Sequence, residues 1–171
     1  VIVSFHHTNL DMHSFSFANF AVTRDIFKKN RDFVFMDIGG EISDVAVVRD
    51  GVLDSSASFP LGKNGLIRTL AKTAGEERHL VDSLLSIYNA EHMSVESKKM
   101  LDPILKRFRR GWIDQLLLTI DEMSLQKRLP QNFYLLVDKD VAGVFLGYLA
   151  GEDLSGVSML NKNFDLTVVT E

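Results

Sequence analysis

The sequence predicts an α/β fold in which helices pack on a mixed β-sheet and a helical insert interrupts the sheet. Three observations lead to this prediction. An apolar run at Phe33–Ile38 precedes two β-branched segments, which are joined by Asp50 and Gly51, a strong hairpin signal. A long stretch with helical periodicity then occupies about residues 76–128. The chain finally returns to a strand, a helix and a last strand, which is the order of an α/β lobe.

Strands are predicted where short apolar or β-branched runs end at turn residues. The run Phe33–Ile38 is apolar except for one acid, as expected of a strand covered on both faces. The two segments after it are the arms of the hairpin. Pro60 and Gly62 follow the second arm and end the strand. The predicted strands are residues 33–38, 42–48, 52–59, 133–137 and 164–169.

Helices are predicted where apolar residues recur every three or four positions. In the insert this stripe runs from Leu80 to Ile120. Asp102 and Pro103 interrupt it, and they either cap a new helix or kink a longer one. The predicted helices are residues 16–29, 66–73, several turns within 76–128, and 141–149.

The composition limits the class of protein. A chain of 171 residues with 46% hydrophobic content supports one core, so we expect a single lobe over residues 1–171. A net charge of −4 gives no electrostatic footprint for nucleic acid, and the basic residues at 106–110 predict a solvated helix face. The absence of Cys fits a cytoplasmic setting. No apolar run approaches the ~20 residues that span a bilayer.

The main chemical signal lies between the first two predicted strands. Asp37 ends a buried strand, and Gly39 and Gly40 allow a tight turn whose backbone can approach an anion. A carboxylate beside such a turn would repel bare phosphate, so the pattern suits a Mg²⁺ ion, bound through water, between the two. A plain β-turn with an exposed Asp is the alternative interpretation. The three histidines near the start are more simply surface residues: His6, His7 and His13.

The segment "MDIGGEISDVAVVRDGVLDSSASFPLGKNGLIRTLA" at residues 36–71 resembles the second phosphate-binding segment of the superfamily of actin, sugar kinases and heat-shock chaperone ATPases. Within that superfamily it is most similar to the bacterial actin-like proteins of the FtsA and PilM kind. Their pattern is a strand ending in D-x-G-G-G-T-T-D, then a hairpin, then a P-x-G-G-N segment. The matching residues are Asp37, Gly39, Gly40, Ser43 and Asp44 for the first element, and Pro60, Gly62 and Asn64 for the second.

The resemblance implies an actin-like, ribonuclease-H-like lobe that takes part in binding Mg-ATP. It implies that Asp37 holds the hydrated Mg²⁺ ion. It implies no catalytic residue in this chain, because in such proteins a first lobe, which is missing here, supplies the opposing phosphate loop and the catalytic acid. The chain is therefore expected to be part of a longer protein and not to hydrolyse ATP alone. The implied phosphate-binding residues are Asp37, Gly39, Gly40, Glu41, Ile42 and Ser43, with a second glycine loop at Gly62, Lys63 and Asn64.

Three departures from the family pattern bear on nucleotide binding. Glu41 stands where the family has a third Gly, and it adds negative charge near the phosphates. Lys63 replaces the second Gly of the later segment, and either offsets that charge or points to water. A charged turn, Asp138-Lys139-Asp140, replaces the Gly-Gly turn against which adenosine lies in the family.

Two functions follow as alternatives. The first is the nucleotide-binding lobe of a cytoplasmic scaffold at the inner membrane face, with a protein partner in division, pilus or secretion machinery. The second is a degenerate pseudo-ATPase that binds no nucleotide and recruits a protein partner through the helical insert. Half of a sugar or acetate kinase is a weaker third interpretation, because the sequence indicates no substrate pocket.

Overall fold

The computed structural model describes residues 29–74, 81, 85 and 94–170. Almost all of the helix predicted at 16–29, the three histidines and much of the first half of the predicted insert lie outside these residues. The strands are β1 (Phe33–Ile38), β2 (Ser43–Arg49), β3 (Val52–Phe59), β4 (Asn132–Val137) and β5 (Asp165–Val169). The helices are α1 (Lys63–Ala74), α2 (Val95–Ser124) and α3 (Ala142–Ala150), and a short 3-10 helix lies at Ser155–Val157.

The five strands form one mixed sheet in the order β3-β2-β1-β4-β5. The first three strands are antiparallel neighbours, whereas β4 lies parallel to β1 and β5 lies parallel to β4. Asp50 and Gly51 form the hairpin turn with φ of 51° and 75°, the left-handed backbone that a type I′ turn requires. The predicted α/β fold and its antiparallel hairpin unit are confirmed.

The side chains of β1 alternate between the two faces of the sheet. Val34 and Met36 join the main core, which includes buried side chains from all three helices. Phe33 and Phe35 belong to a second, smaller buried cluster that includes Tyr134. All four side chains from β1 are fully buried, which accounts for the uninterrupted apolar run in the sequence.

The long helix α2 passes through Pro103 without a break. Pro103 therefore does not begin a new helix, which was one of the two alternatives for this position, and it lies within a longer one. The helix begins at a cap, where the backbone N–H of Ser97 donates to the hydroxyl of Ser94 at 3.2 Å. The buried stripe of α2 continues on both sides of the proline and carries Trp112 into the core. Among the described helices, none is long and apolar enough to cross a bilayer.

Candidate functional site

The two glycine segments singled out in the sequence lie backbone to backbone. The N–H of Lys63 donates to the carbonyl oxygen of Gly39 at 2.9 Å, and the N–H of Asn64 donates to that of Gly40 at 2.7 Å. A Cβ atom on Gly62 would lie 2.4 Å from the Gly39 oxygen and 2.7 Å from the Gly40 oxygen. This contact therefore requires glycine at position 62, and it fixes the first turn of α1 on the β1–β2 turn.

Two carboxylates lie side by side at the strand ends next to this turn. Asp37 of β1 and Asp44 of β2 are directly opposite in the antiparallel register, and each is only 9% exposed. Like charges in such a pair destabilise the sheet unless hydrogen bonds or a cation compensate. The Ser58 hydroxyl donates a hydrogen bond to Asp44. The pair thus supplies carboxylate oxygens of the kind that a cation with oxygen ligands requires.

The donor set fits a hydrated Mg²⁺ ion. Mg²⁺ is commonly held by one or two carboxylates, with waters and phosphate oxygens as its other ligands. Over residues 29–74 and 94–170, no three His, Asp or Glu side chains come together as a metal site. An ion at Asp37 and Asp44 would take water and a bound phosphate as further ligands.

The negative charge of Glu41 is compensated within the site. The Arg68 guanidinium donates to both Glu41 carboxylate oxygens at 2.8 Å, and the Asn64 amide donates to one of them at 3.0 Å. The hydrogen bonds to Glu41, with its charge, raise the pKa of Arg68. Arg68 was not among the residues that the sequence motifs indicated. The available signal was its spacing, because Arg68 follows Asn64 by four positions and so lies on the same face of α1.

Lys63 neither offsets Glu41 nor points to water. Its ammonium group is held by Asp138 at 2.7 Å and by Asp140 at 2.9 Å, both from the turn between β4 and α3. Burial by itself would lower the pKa of Lys63, but the hydrogen bonds to Asp138 and Asp140 and the charges of these residues outweigh it and raise the pKa. Two of the departures from the family pattern therefore form one ion-pair cluster.

Replacing Lys63 with Met is expected to lower the free energy of unfolding by about 1 kcal/mol near pH 8, because two carboxylates lose their shared cation. The pKa of Lys63 in the folded state lies above its ordinary value of 10.5. This stabilisation is therefore fully present at pH values well below 10.5, and it is lost as the pH rises through the folded pKa. Urea unfolding of wild type and Lys63→Met at pH 8 and pH 11 measures the effect. A difference that is equal at both pH values contradicts the expectation.

Ser43 occupies a different position from the other predicted site residues. It is fully buried, its hydroxyl donates to the Leu61 carbonyl at 2.7 Å, and it accepts from the indole N–H of Trp112 at 3.3 Å. Its side chain therefore faces the core, whereas Ile42 beside it is 44% exposed. The structure brings the following predicted residues together at one end of the sheet: Asp37, Gly39, Gly40, Glu41, Gly62, Lys63 and Asn64.

No protein-family model matches this sequence, and no curated protein is significantly similar to it. Solved structures do match. A PilM-PilN type IV pilus biogenesis complex aligns with 94% of this chain and 42% of that chain, at 14% identity and a TM-score of 0.62. ParM of Bacillus thuringiensis with ATP aligns with 80% of this chain and 41% of its own, at 15% identity and a TM-score of 0.54. The fold is actin-like.

A further match is the ethanolamine utilization protein EutJ from Carboxydothermus hydrogenoformans, at 15% identity and a TM-score of 0.51, over 86% of this chain and 47% of that one. The chain spans less than half the length of each of these three structures. The three matches confirm the actin-like fold implied by the sequence motifs. At these identities the likeness shows the fold alone.

Proposed function

We propose that this actin-like lobe contacts the phosphates of a Mg²⁺-nucleotide through the turn between β1 and β2. The observation that carries the proposal is the backbone contact of Gly62 with Gly39 and Gly40, which holds the turn rigidly beside the paired carboxylates of Asp37 and Asp44. A turn fixed in this way loses little conformational entropy when a phosphate binds. The bound Mg²⁺ ion would neutralise phosphate charge that the carboxylates otherwise repel.

The described residues have distinct roles in this proposal. Asp37 holds the hydrated ion, with Asp44 beside it, and the backbone of Gly39–Ile42 faces the phosphates. Arg68 supports the site by keeping the Glu41 carboxylate paired on the α1 side of the turn. Ser43 contributes through its position in β2 and not through its hydroxyl, which is bound inside the core.

The lobe acts as part of a longer, two-lobed protein. Phosphoryl transfer depends on positioning and on charge stabilisation from groups around the phosphate, and one lobe supplies only one side of such a cleft. The chain by itself therefore binds nucleotide weakly and does not turn it over. We assign no catalytic residue to it.

The cellular role that fits best is a cytoplasmic scaffold beside the inner membrane. One matching structure is a pilus biogenesis complex of PilM with PilN, so this type of lobe occurs in a protein that works together with a protein partner. By this analogy the lobe serves a membrane-associated assembly, with pilus machinery as the first candidate and division or secretion machinery as others.

Calorimetric titration with Mg²⁺-ATP tests nucleotide binding. Asp37→Ala is expected to weaken the Mg²⁺-dependent part roughly tenfold, because the ion loses a carboxylate. Glu41→Gly is expected to strengthen binding about twofold to fivefold, because a negative charge leaves the turn while Arg68 stays. Asp165→Ala is the matched control and should leave binding unchanged. Asp165 begins β5, and so it lies at the opposite end of the parallel strands from Asp37, which is near the carboxyl end of β1.

A second candidate function is a pseudo-ATPase interaction module. It is favoured by the ion pairs of Lys63 with Asp138 and Asp140, which close the place where the family pattern has a bare Gly-Gly turn for adenosine. This candidate predicts flat titrations for wild type, Asp37→Ala and Glu41→Gly alike. Such a result rejects nucleotide binding by the lobe and leaves partner binding as its function.

A further inference from the structure

Three cavities lie end to end along one side of α2. The first, of about 430 Å³, lies between α2 and α3, and it shares Lys106 and Arg109 with a second cavity of about 400 Å³. The second shares Asp114 and Leu117 with a third, of about 430 Å³, near the 3-10 helix. Together they form one groove, which we call the α2 groove. It follows about five helical turns, or about 28 Å, from Asp102 to Asp121.

One end of the α2 groove is basic and has a low floor. Lys106 and Arg110 are exposed, and neither forms an ion pair with another described residue. Arg109 departs from the solvated face that the sequence predicted, because it is half-buried and pairs with Glu152 at 2.5 Å. The floor carries exposed glycines four positions apart, namely Gly143 and Gly147 in α3 and Gly151 directly after it. A Cβ atom on Gly147 would meet no atom within 4 Å, so this part of the floor has room for another chain, whereas at Gly151 the Arg109 guanidinium covers the backbone.

The other end of the groove is apolar with an acidic rim. Leu117 is 37% exposed and Leu118 is 62% exposed, and both line the third cavity with Val157. Asp114 and Asp121 flank these leucines on the same cavity. In the described part of the chain, neither aspartate forms an ion pair. Leu117 and Leu118 thus form contiguous exposed apolar surface on the side of α2 away from the core, and surface of this kind marks interaction sites.

We propose that the α2 groove binds an amphipathic peptide segment of a partner protein. The peptide carries carboxylates at the end that faces Lys106 and Arg110. At the other end it carries aliphatic side chains over Leu117 and Leu118, with Lys or Arg beside Asp114 or Asp121. Electrostatic complementarity of this kind fixes the register and orientation of a bound segment, and an amphipathic helix laid in a groove is a common recognition mode.

The shape and charge of the groove favour this occupant over two others. An anionic lipid surface would be repelled at the end that carries Asp114 and Asp121. A second copy of the chain would bring one concave face against another and leave the cavities unfilled, although specific interfaces are packed like protein interiors. A convex segment from a partner fills the groove. The proposal does not depend on nucleotide binding.

Two synthetic peptides of equal composition and about 18 residues, each labelled with a fluorophore, test the charge pattern. In the matched peptide, Glu residues occupy one end, and Leu with Lys occupy the other. In the swapped peptide, Leu and Glu share one end, and Lys occupies the other, so neither orientation satisfies both ends of the groove. Fluorescence anisotropy with the 171-residue chain is expected to show the matched peptide binding at least about tenfold more tightly.

Two variants on α2 locate the site. Leu118→Gln is expected to weaken binding of the matched peptide about fivefold or more, because it removes an apolar contact from the groove. Val95→Gln is the matched control. Val95 lies on the same helix with 63% exposure against 62% for Leu118, yet it lines none of the three cavities. Circular dichroism and urea unfolding confirm that both variants are folded before they are compared.

Specific results would overturn the proposal. These are equal affinity for the two peptides, no saturable binding of the matched peptide, or equal effects of Leu118→Gln and Val95→Gln. Sedimentation of the chain over a range of concentrations provides the remaining arm. A dimer that Leu118→Gln abolishes would assign the groove to a second copy of the chain and not to a partner.

Discussion

Gly62→Ala is expected to lower the free energy of unfolding by about 2–3 kcal/mol, as overpacking in a rigid site does. The added Cβ would lie 2.4 Å from the carbonyl oxygen of Gly39, and neither side of the contact is a flexible side chain. The Gly39 oxygen is also held by the N–H of Lys63, so the turn cannot retreat without losing that hydrogen bond. Urea unfolding followed by circular dichroism measures the loss.

Gly111→Ala is the matched control, because it makes the same chemical change where there is space. Gly111 lies inside α2, is exposed, and a Cβ built on it meets no atom within 4 Å. Ala is favoured over Gly in a helix, so this variant is expected to gain about 0.5–1 kcal/mol. The two substitutions should thus have opposite signs. A Gly62→Ala protein as stable as wild type would show that the turn and α1 are not in tight contact.

The sheet was predictable because its signals are local. The apolar run of β1 and the Asp50 and Gly51 turn each depend on neighbouring residues, and the strands formed where these signals placed them. The start of α1 was predicted three residues late. The residues of the second glycine loop themselves enter the helix, since the Gly39 and Gly40 carbonyls accept the first N–H groups of α1.

The ion pairs of the site were not predictable from local pattern. Lys63 and Asp138 are 75 positions apart in the chain, and no periodicity connects a helix start with a turn in the other half of the sheet. In the sequence, the two positions are separate departures from the family pattern. The fold brings them together because β4 lies parallel to β1, so both strands end at the same edge of the sheet.

Pro103 shows how tertiary packing decides an ambiguous local signal. Proline inside a helix removes a backbone donor and usually breaks or bends it. Here Leu101 and Ile104, on either side of the proline, are both buried in the main core. Burial of one continuous stripe stabilises the helix more than the proline disfavours it, so α2 continues through position 103.

Trp112→Ala is expected to have the largest effect on stability, a loss of about 3–5 kcal/mol. Trp112 is fully buried, and its ring contacts aromatic rings from both β3 and α3. The centroid of the Trp112 ring lies 5.8 Å from that of Phe59, 5.2 Å from that of Phe145 and 6.2 Å from that of Tyr148. Removing the indole leaves a cavity between the sheet and two helices, which the surrounding rings cannot fill without leaving their own contacts.

Trp112→Phe separates the packing of the indole from its hydrogen bond. Phe retains most of the apolar contacts but cannot donate to the Ser43 hydroxyl, so we expect a smaller loss of about 1–2 kcal/mol. A double-mutant cycle with Ser43→Ala isolates the bond. The double mutant should lose about 0.5–1 kcal/mol less stability than the sum of the two single losses. Full additivity would show that the 3.3 Å contact between Trp112 and Ser43 contributes nothing to stability.

A Trp112→Ala loss below about 1 kcal/mol would contradict the packing of α2 against β3, and with it the position of α2 that forms the groove.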